Sequence, residues 1–143
     1  MNTSEEWKAR IKVFEGCRLT AYQDVGGVWS VGFGSTLDVA PGMRIHPAEA
    51  EARFEVDIRH AEKCIDASVN VPLSQGEHDS LTSFIFNLGC AKFRSSTLLK
   101  KLNDSDFDGA AAEFPRWNHV GGEVVAGLTA RRKAEAERFE ETT

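Results

Sequence analysis

Two carboxylates nine residues apart, Glu15 and Asp24, are followed six residues later by a hydroxyl, Ser30. Glu15 falls where an amphipathic helix ends beside an apolar Phe14, and Asp24 enters a glycine-punctuated turn. Hydrolysis of a glycosidic bond needs two carboxyl groups in unlike settings. One must carry a proton for the leaving oxygen, and the other must stay charged and wet to take a proton from water. The same residues also fit a plain surface reading, because a Glu in a last helical turn and an Asp in a turn are common. The glycines are explained by hairpin geometry alone.

The elements that would position these groups follow from periodicity and caps. A helix is expected from about Ser4 to Gly16, opened by a Thr3-x-x-Glu6 capping box, with Trp7, Ile11 and Phe14 on one face. Gly16 suits its terminator. Tyr22 to Thr36 reads as a glycine-rich hairpin or small sheet, too short to stand without helices around it. Pro47, preceded by His46 as a candidate cap, opens a long helix to about Ser68 with a buried stripe of Phe54, Ile58, Ala61 and Ile65. Ser74-x-x-Glu77 is a second capping box, opening a central helix through Leu81, Phe84, Ile85 and Leu88 to a stop at Gly89. Short helices at Ser96–Leu102 and Ser105–Phe114 and a last one at Leu128–Glu140 complete an α+β pattern with segregated elements. The expected organisation is a single domain. A β-containing lobe (about 18–45) joins, through the long helix 47–68, a helical lobe made of 1–17 and 70–143.

Composition narrows the function. At 143 residues the chain can bury its own core without metal or disulfides. Its net charge is −5, and both halves carry an acid excess, so a basic nucleic-acid groove is not expected. Three cysteines, Cys17, Cys64 and Cys90, are an odd number without metal-ligand spacing. They are read as reduced thiols, with Cys17 a small buried apolar residue and reducing agent without effect. His60, His78 and His119 lack an i, i+4 partner for zinc. No run approaches a membrane span, and the first fourteen residues include Glu5, Glu6, Lys8, Arg10 and Lys12, so no signal-anchor is expected.

Phe14-Glu15-Gly16, Tyr22-Gln23-Asp24 and Trp29-Ser30, taken with later blocks, resemble the phage endolysin lysozymes, glycoside hydrolase family 24. The later blocks are Pro72-Leu73-Ser74-Gln75, Phe86-Asn87-Leu88-Gly89, Ser95-Ser96-Thr97-Leu98-Leu99, Arg116-Trp117-Asn118, Gly121-Gly122 and Gly127 to Arg132. The resemblance covers nearly the whole chain and departs at Ser30, where the family has Thr. Ser keeps the hydroxyl but drops a methyl that restrains its rotamer, so activity is expected to survive.

The resemblance implies a lysozyme-like fold and a muramidase, needing neither metal nor cofactor, that cuts peptidoglycan between N-acetylmuramic acid and N-acetylglucosamine. It makes Glu15 the general acid, Asp24 the base and Ser30 the holder of the attacking water. An inverting enzyme is implied, with carboxyls roughly 6.5–9.5 Å apart. It also implies that Arg131 faces Glu15 and that Phe86 and Asn87 line the cleft against the sugar N-acetyl groups. Arg131 also fits a solvated run with Arg132 and Lys133, balanced by Glu135 and Glu137. Phe86 equally fits a core residue, Asn87 a helix-end cap, and Trp117 a packing residue. The biological expectation is a monomer that accumulates in the host cytoplasm and reaches peptidoglycan once a holin opens the membrane.

Overall fold

In a computed structural model that describes residues 1–141, α1 (Glu5–Glu15) is capped one residue later than the sequence predicts. Ser4 is the N-cap, its Oγ accepting from the Trp7 N–H at 3.3 Å. Thr3 is instead drawn into tertiary contacts. Its N–H and hydroxyl donate to Glu62 (2.7 and 2.8 Å), and its Oγ1 lies 3.0 Å from that of Thr82. Trp7 and Ile11 are buried, as their spacing requires, and Phe14 is half-buried.

β1 (Arg18–Gln23) and β2 (Trp29–Gly32) form an antiparallel hairpin, with Tyr22 opposite Ser30. α2 (Pro47–Ser68) has the expected bounds and buries Phe54, Ile58, Ala61 and Ile65. His46 stands at its N-cap position but makes no side-chain cap bond. α3 (Gln75–Leu88) carries the full Ser74–Glu77 capping box. Its N–H groups are thereby satisfied at both ends of the box, worth about 1 kcal/mol.

α4 (Cys90–Arg94) follows at once, a short helix with no counterpart in the sequence reading. α5 (Thr97–Asn103), capped by Ser96, is the first of the two short helices expected there, and the second divides into α6 (Phe107–Ala111) and a 3-10 turn (Phe114–Arg116). β3 (His119–Val120) and β4 (Glu123–Val124) make a second small hairpin, joined through Gly121 and Gly122. Both glycines have positive φ (56° and 83°), which a two-residue hairpin turn demands. α7 (Ala126–Glu140) closes the chain by packing along α3.

The largest core cluster gathers α2 to α7 around Leu81, Phe84, Phe93, Leu98, Leu102 and Phe114. Trp117 belongs to its margin, with its ring 5.6 Å from that of Phe84, so it is a packing residue. A smaller cluster of Ile11, Phe54 and Ile58 joins α1 to α2, and a third, of Val31, Ile45 and Ala50, seats the hairpin on α2. Asp79 cross-links the helices. It accepts from the Ser4 N–H (2.8 Å) and hydroxyl (2.6 Å) and from Arg138 Nη2 (2.7 Å). Among the described residues no helix is long and apolar enough to cross a membrane.

The cysteine reading is corrected twice. Cys64 on α2 and Cys90 on α4 form a disulfide, and Cys17 is exposed. The two partners are 26 residues apart, and only the packing of α4 against α2 brings them together. A cross-link closing a loop of that length stabilises by about 3 kcal/mol, chiefly by restricting the unfolded chain. The expectation of indifference to reductant is therefore reversed. Dithiothreitol should lower the melting midpoint by roughly 10 °C at this chain length, read by circular dichroism. An unchanged midpoint, matched by an unchanged Cys64→Ala/Cys90→Ala double variant, would show that the bridge adds nothing.

Candidate active site

Gly16 (φ 68°) stops α1 by donating its N–H to Lys12 O at 2.9 Å, and this leaves Glu15 at the last helical position. The Glu15 side chain is 16% exposed. Its Oε2 lies 2.5 Å from Arg131 Nη1, and the guanidinium rests 5.1 Å from the centre of the Phe14 ring. On the other side a Cβ at Gly34 would stand 2.8 Å from Glu15 Oε1. With φ at 80° as well, position 34 admits no side chain without moving the carboxyl.

Asp24 sits in the turn between β1 and β2, exposed to solvent. Its Oδ1 accepts from the backbone N–H groups of Gly26 (2.9 Å) and Val28 (2.8 Å). The turn thus holds the carboxylate by one oxygen, and Asp24 lines the cleft. Ser30 is 2% exposed, and its hydroxyl donates to Val28 O at 3.2 Å. With its proton engaged there, Ser30 Oγ offers lone pairs to a water.

Two adjoining cavities, of about 390 and 510 Å³, share Glu15, Asp24, Asn87 and Leu88. They make one cleft that runs past the acid pair on both sides. The first arm is walled by Tyr22, Ser30, Asp57, His60 and Phe86. The second lies between Phe14, Lys92, Leu128 and the β3–β4 hairpin at His119. The Phe86 ring packs with its centre 5.4 Å from that of Phe54, and Phe86 also lines the cleft. Asn87 lines both arms, with Arg132 Nη2 donating to its Oδ1 at 2.9 Å.

Arg131 is held from behind. Its Nη2 donates to Ser83 O (3.1 Å), and its Nε lies 3.3 Å from both Ser83 Oγ and Glu135 Oε2. Neither Arg131 nor Arg132 is solvated. They are 4% and 0% exposed, and Glu135 is 0% exposed. Of the charged run, the solvated reading holds only for Lys133 and Glu137.

The family model for phage lysozymes matches residues 12–135. The chain belongs to the phage lysozyme family. It is similar to an endolysin of Acyrthosiphon pisum secondary endosymbiont phage 1, 41% identical over 98% of this chain and 99% of that protein. Among solved structures, an endolysin from Escherichia coli O157:H7 phage FAHEc1 superposes with a TM-score of 0.86 at 32% identity, covering 99% of this chain and 94% of that one. The muramidase domain of SpmX from Asticaccaulis excentricus superposes at 0.88 with 31% identity over 99% of each chain. The α+β lysozyme-like fold and the assignment as a glycoside hydrolase of the lysozyme type follow.

Within this phage lysozyme the sequence reading missed several residues of the cleft. Tyr22 lines the first arm with the two acids, and burial, reinforced by the Glu15 charge, pushes its phenol up. Asp57 on α2 faces the first arm. Burial raises its carboxyl against the opposing pull of His60 and Arg53, and Glu15 adds to the rise. Helical spacing could have found Asp57, since it is four residues before the buried Ala61. That same spacing does not tell a cleft from a surface.

Proposed function

We propose that this phage lysozyme hydrolyses the β-1,4 bond between N-acetylmuramic acid and N-acetylglucosamine in peptidoglycan, with inversion at the anomeric carbon. The observation that carries the reading is the contrast between the two acids in one cleft. Glu15 is mostly buried and aimed by Arg131, whereas Asp24 is exposed and held by one oxygen. Glu15 Oε2 is engaged by Arg131, so Oε1, on the Gly34 side, carries the proton that passes to the leaving oxygen. As that bond breaks, positive charge grows on the anomeric carbon. A water held between Asp24 Oδ2 and Ser30 Oγ attacks from the opposite face and gives its proton to Asp24. Phe86 and Asn87 contact the sugar N-acetyl groups.

Inversion makes the first product from a β-linked glycan the α-anomer. Proton NMR on a soluble oligomer should record it before mutarotation. A β-anomer first, or an adduct on Asp24, points to retention, and an anhydro-muramic end points to transglycosylation instead of hydrolysis.

Host lysis is the biological role of this activity, with release through a holin lesion as its route; α1 itself serves the fold. Trp7 and Ile11 are spent on the protein core, and five charges lie between Glu5 and Lys12. Expressed alone in a Gram-negative host, the protein should leave culture density unchanged until chloroform or a holin is supplied, and density should then collapse. Lysis without either would mean an export route of its own.

A further inference from the structure

Glu135 is a single buried carboxylate shared by two guanidiniums. Arg131 Nε and Arg132 Nη2 lie 3.3 and 3.2 Å from its Oε2, and Ser83 Oγ donates to the same oxygen at 2.5 Å. Arg132 Nε stands 2.7 Å from Oε1. Each arginine then reaches a different cleft residue, Arg131 to Glu15 and Arg132 to Asn87. Arg132 is fully buried, with its guanidinium 5.2 Å from the centre of the Phe84 ring. Burial lowers its pKa only to about 10, so it remains charged at neutral pH. Its Nη1 has no hydrogen-bond partner among the described residues. Glu135 supplies its counter-charge, and its remaining polar contact, with Asn87, has a definite chemical consequence.

Arginine has donors and no acceptor, so the Asn87 atom facing Arg132 must be Oδ1. The amide is thereby turned with its NH2 group away from the network, at the junction of the two cleft arms. We propose that Arg132 is a positioning residue that locks the Asn87 amide so that it presents only hydrogen-bond donors to the glycan. Its partner is an acceptor oxygen on the sugar, the carbonyl of an N-acetyl group. This rests on the muramidase reading and adds to it the polarity of the subsite and the residue that sets it.

The test uses the whole protein on soluble peptidoglycan oligomers, measuring kcat, KM and melting for Asn87→Asp, Asn87→Ala, Arg132→Met and Arg132→Lys. Asn87→Asp keeps an oxygen toward Arg132 but turns a second acceptor toward the glycan. It should melt no lower than the parent, yet raise KM at least about tenfold, more than Asn87→Ala does, with kcat little changed. Arg132→Met should raise KM about as far as Asn87→Ala, because the amide is then free to turn, and Arg132→Lys should recover part of the loss. On de-N-acetylated oligomers the penalty of Asn87→Asp should disappear, and a penalty that persists there overturns the acetamide as partner. A parental KM in Asn87→Asp overturns the proposal, as does a parental KM in Arg132→Met. Should Arg132→Met fail to fold, Asn87→Asp decides alone, since it retains Arg132. A parent protein unable to cut the oligomers would overturn the muramidase reading instead.

Discussion

Replacing Glu15 by Gln is expected to cut turnover by at least ~10²-fold while leaving the fold in place, the scale of a lost general acid. The amide keeps the shape of the side chain and an oxygen for Arg131 Nη1, now 2.5 Å from the carboxylate. It has no proton to give. Arg131 is not orphaned by the change, because Glu135 and the Ser83 carbonyl still hold it. The melting midpoint should therefore stay level or rise slightly, since a functional carboxyl is commonly held at some cost to stability. Turnover on soluble oligomers and thermal melting measure both halves. A variant that cleaves at nearly the parental rate would remove Glu15 from the mechanism. A variant that is inactive and unfolded would make Glu15 a structural residue.

The largest effect on stability should come from Glu135→Ala. Both arginines on α7 would lose their buried counter-charge, and truncating one member of such a cluster costs about 3–5 kcal/mol. Glu137, two residues on and exposed, is the matched control, where Ala should change stability by less than about 0.5 kcal/mol. Urea unfolding of the two variants beside the parent gives the comparison. Activity measured well below the melting transition should fall for Glu135→Ala as well, because Arg131 and Arg132 then lose the support that aims Glu15 and Asn87. Equal stability of the two variants would mean that the buried network is energetically idle.

The two candidate acids were legible in the sequence because local rules place them. Gly16 ends α1 directly after Glu15, and the Asp24 turn is closed by hydrogen bonds to residues two and four positions on. Pro47 and the Ser74–Glu77 box start their helices for the same reason, since caps and restricted φ act within one turn of chain. The role suggested for Arg131 came from the resemblance to phage lysozymes, and the structure does set its guanidinium against Glu15.

What only the tertiary structure decided lies between residues far apart in the chain. Thr3 lost its capping role because Glu62 and Thr82 offered it bonds that a sequence window does not contain. Cys64 and Cys90 form a pair because α4 packs on α2, and neither the odd cysteine count nor their spacing announces it. The run Arg131-Arg132-Lys133 looks uniformly solvated when read as charges. Laid along α3, α7 turns two of the three inward, onto Ser83, Asn87 and the buried Glu135, and leaves the third in water. Asp57 and His60 face a cleft for an equally non-local reason, since the opposite wall is built by residues 15 to 36. Periodicity identifies which face of a helix is shared, but which neighbour shares it depends on the packing of the whole chain.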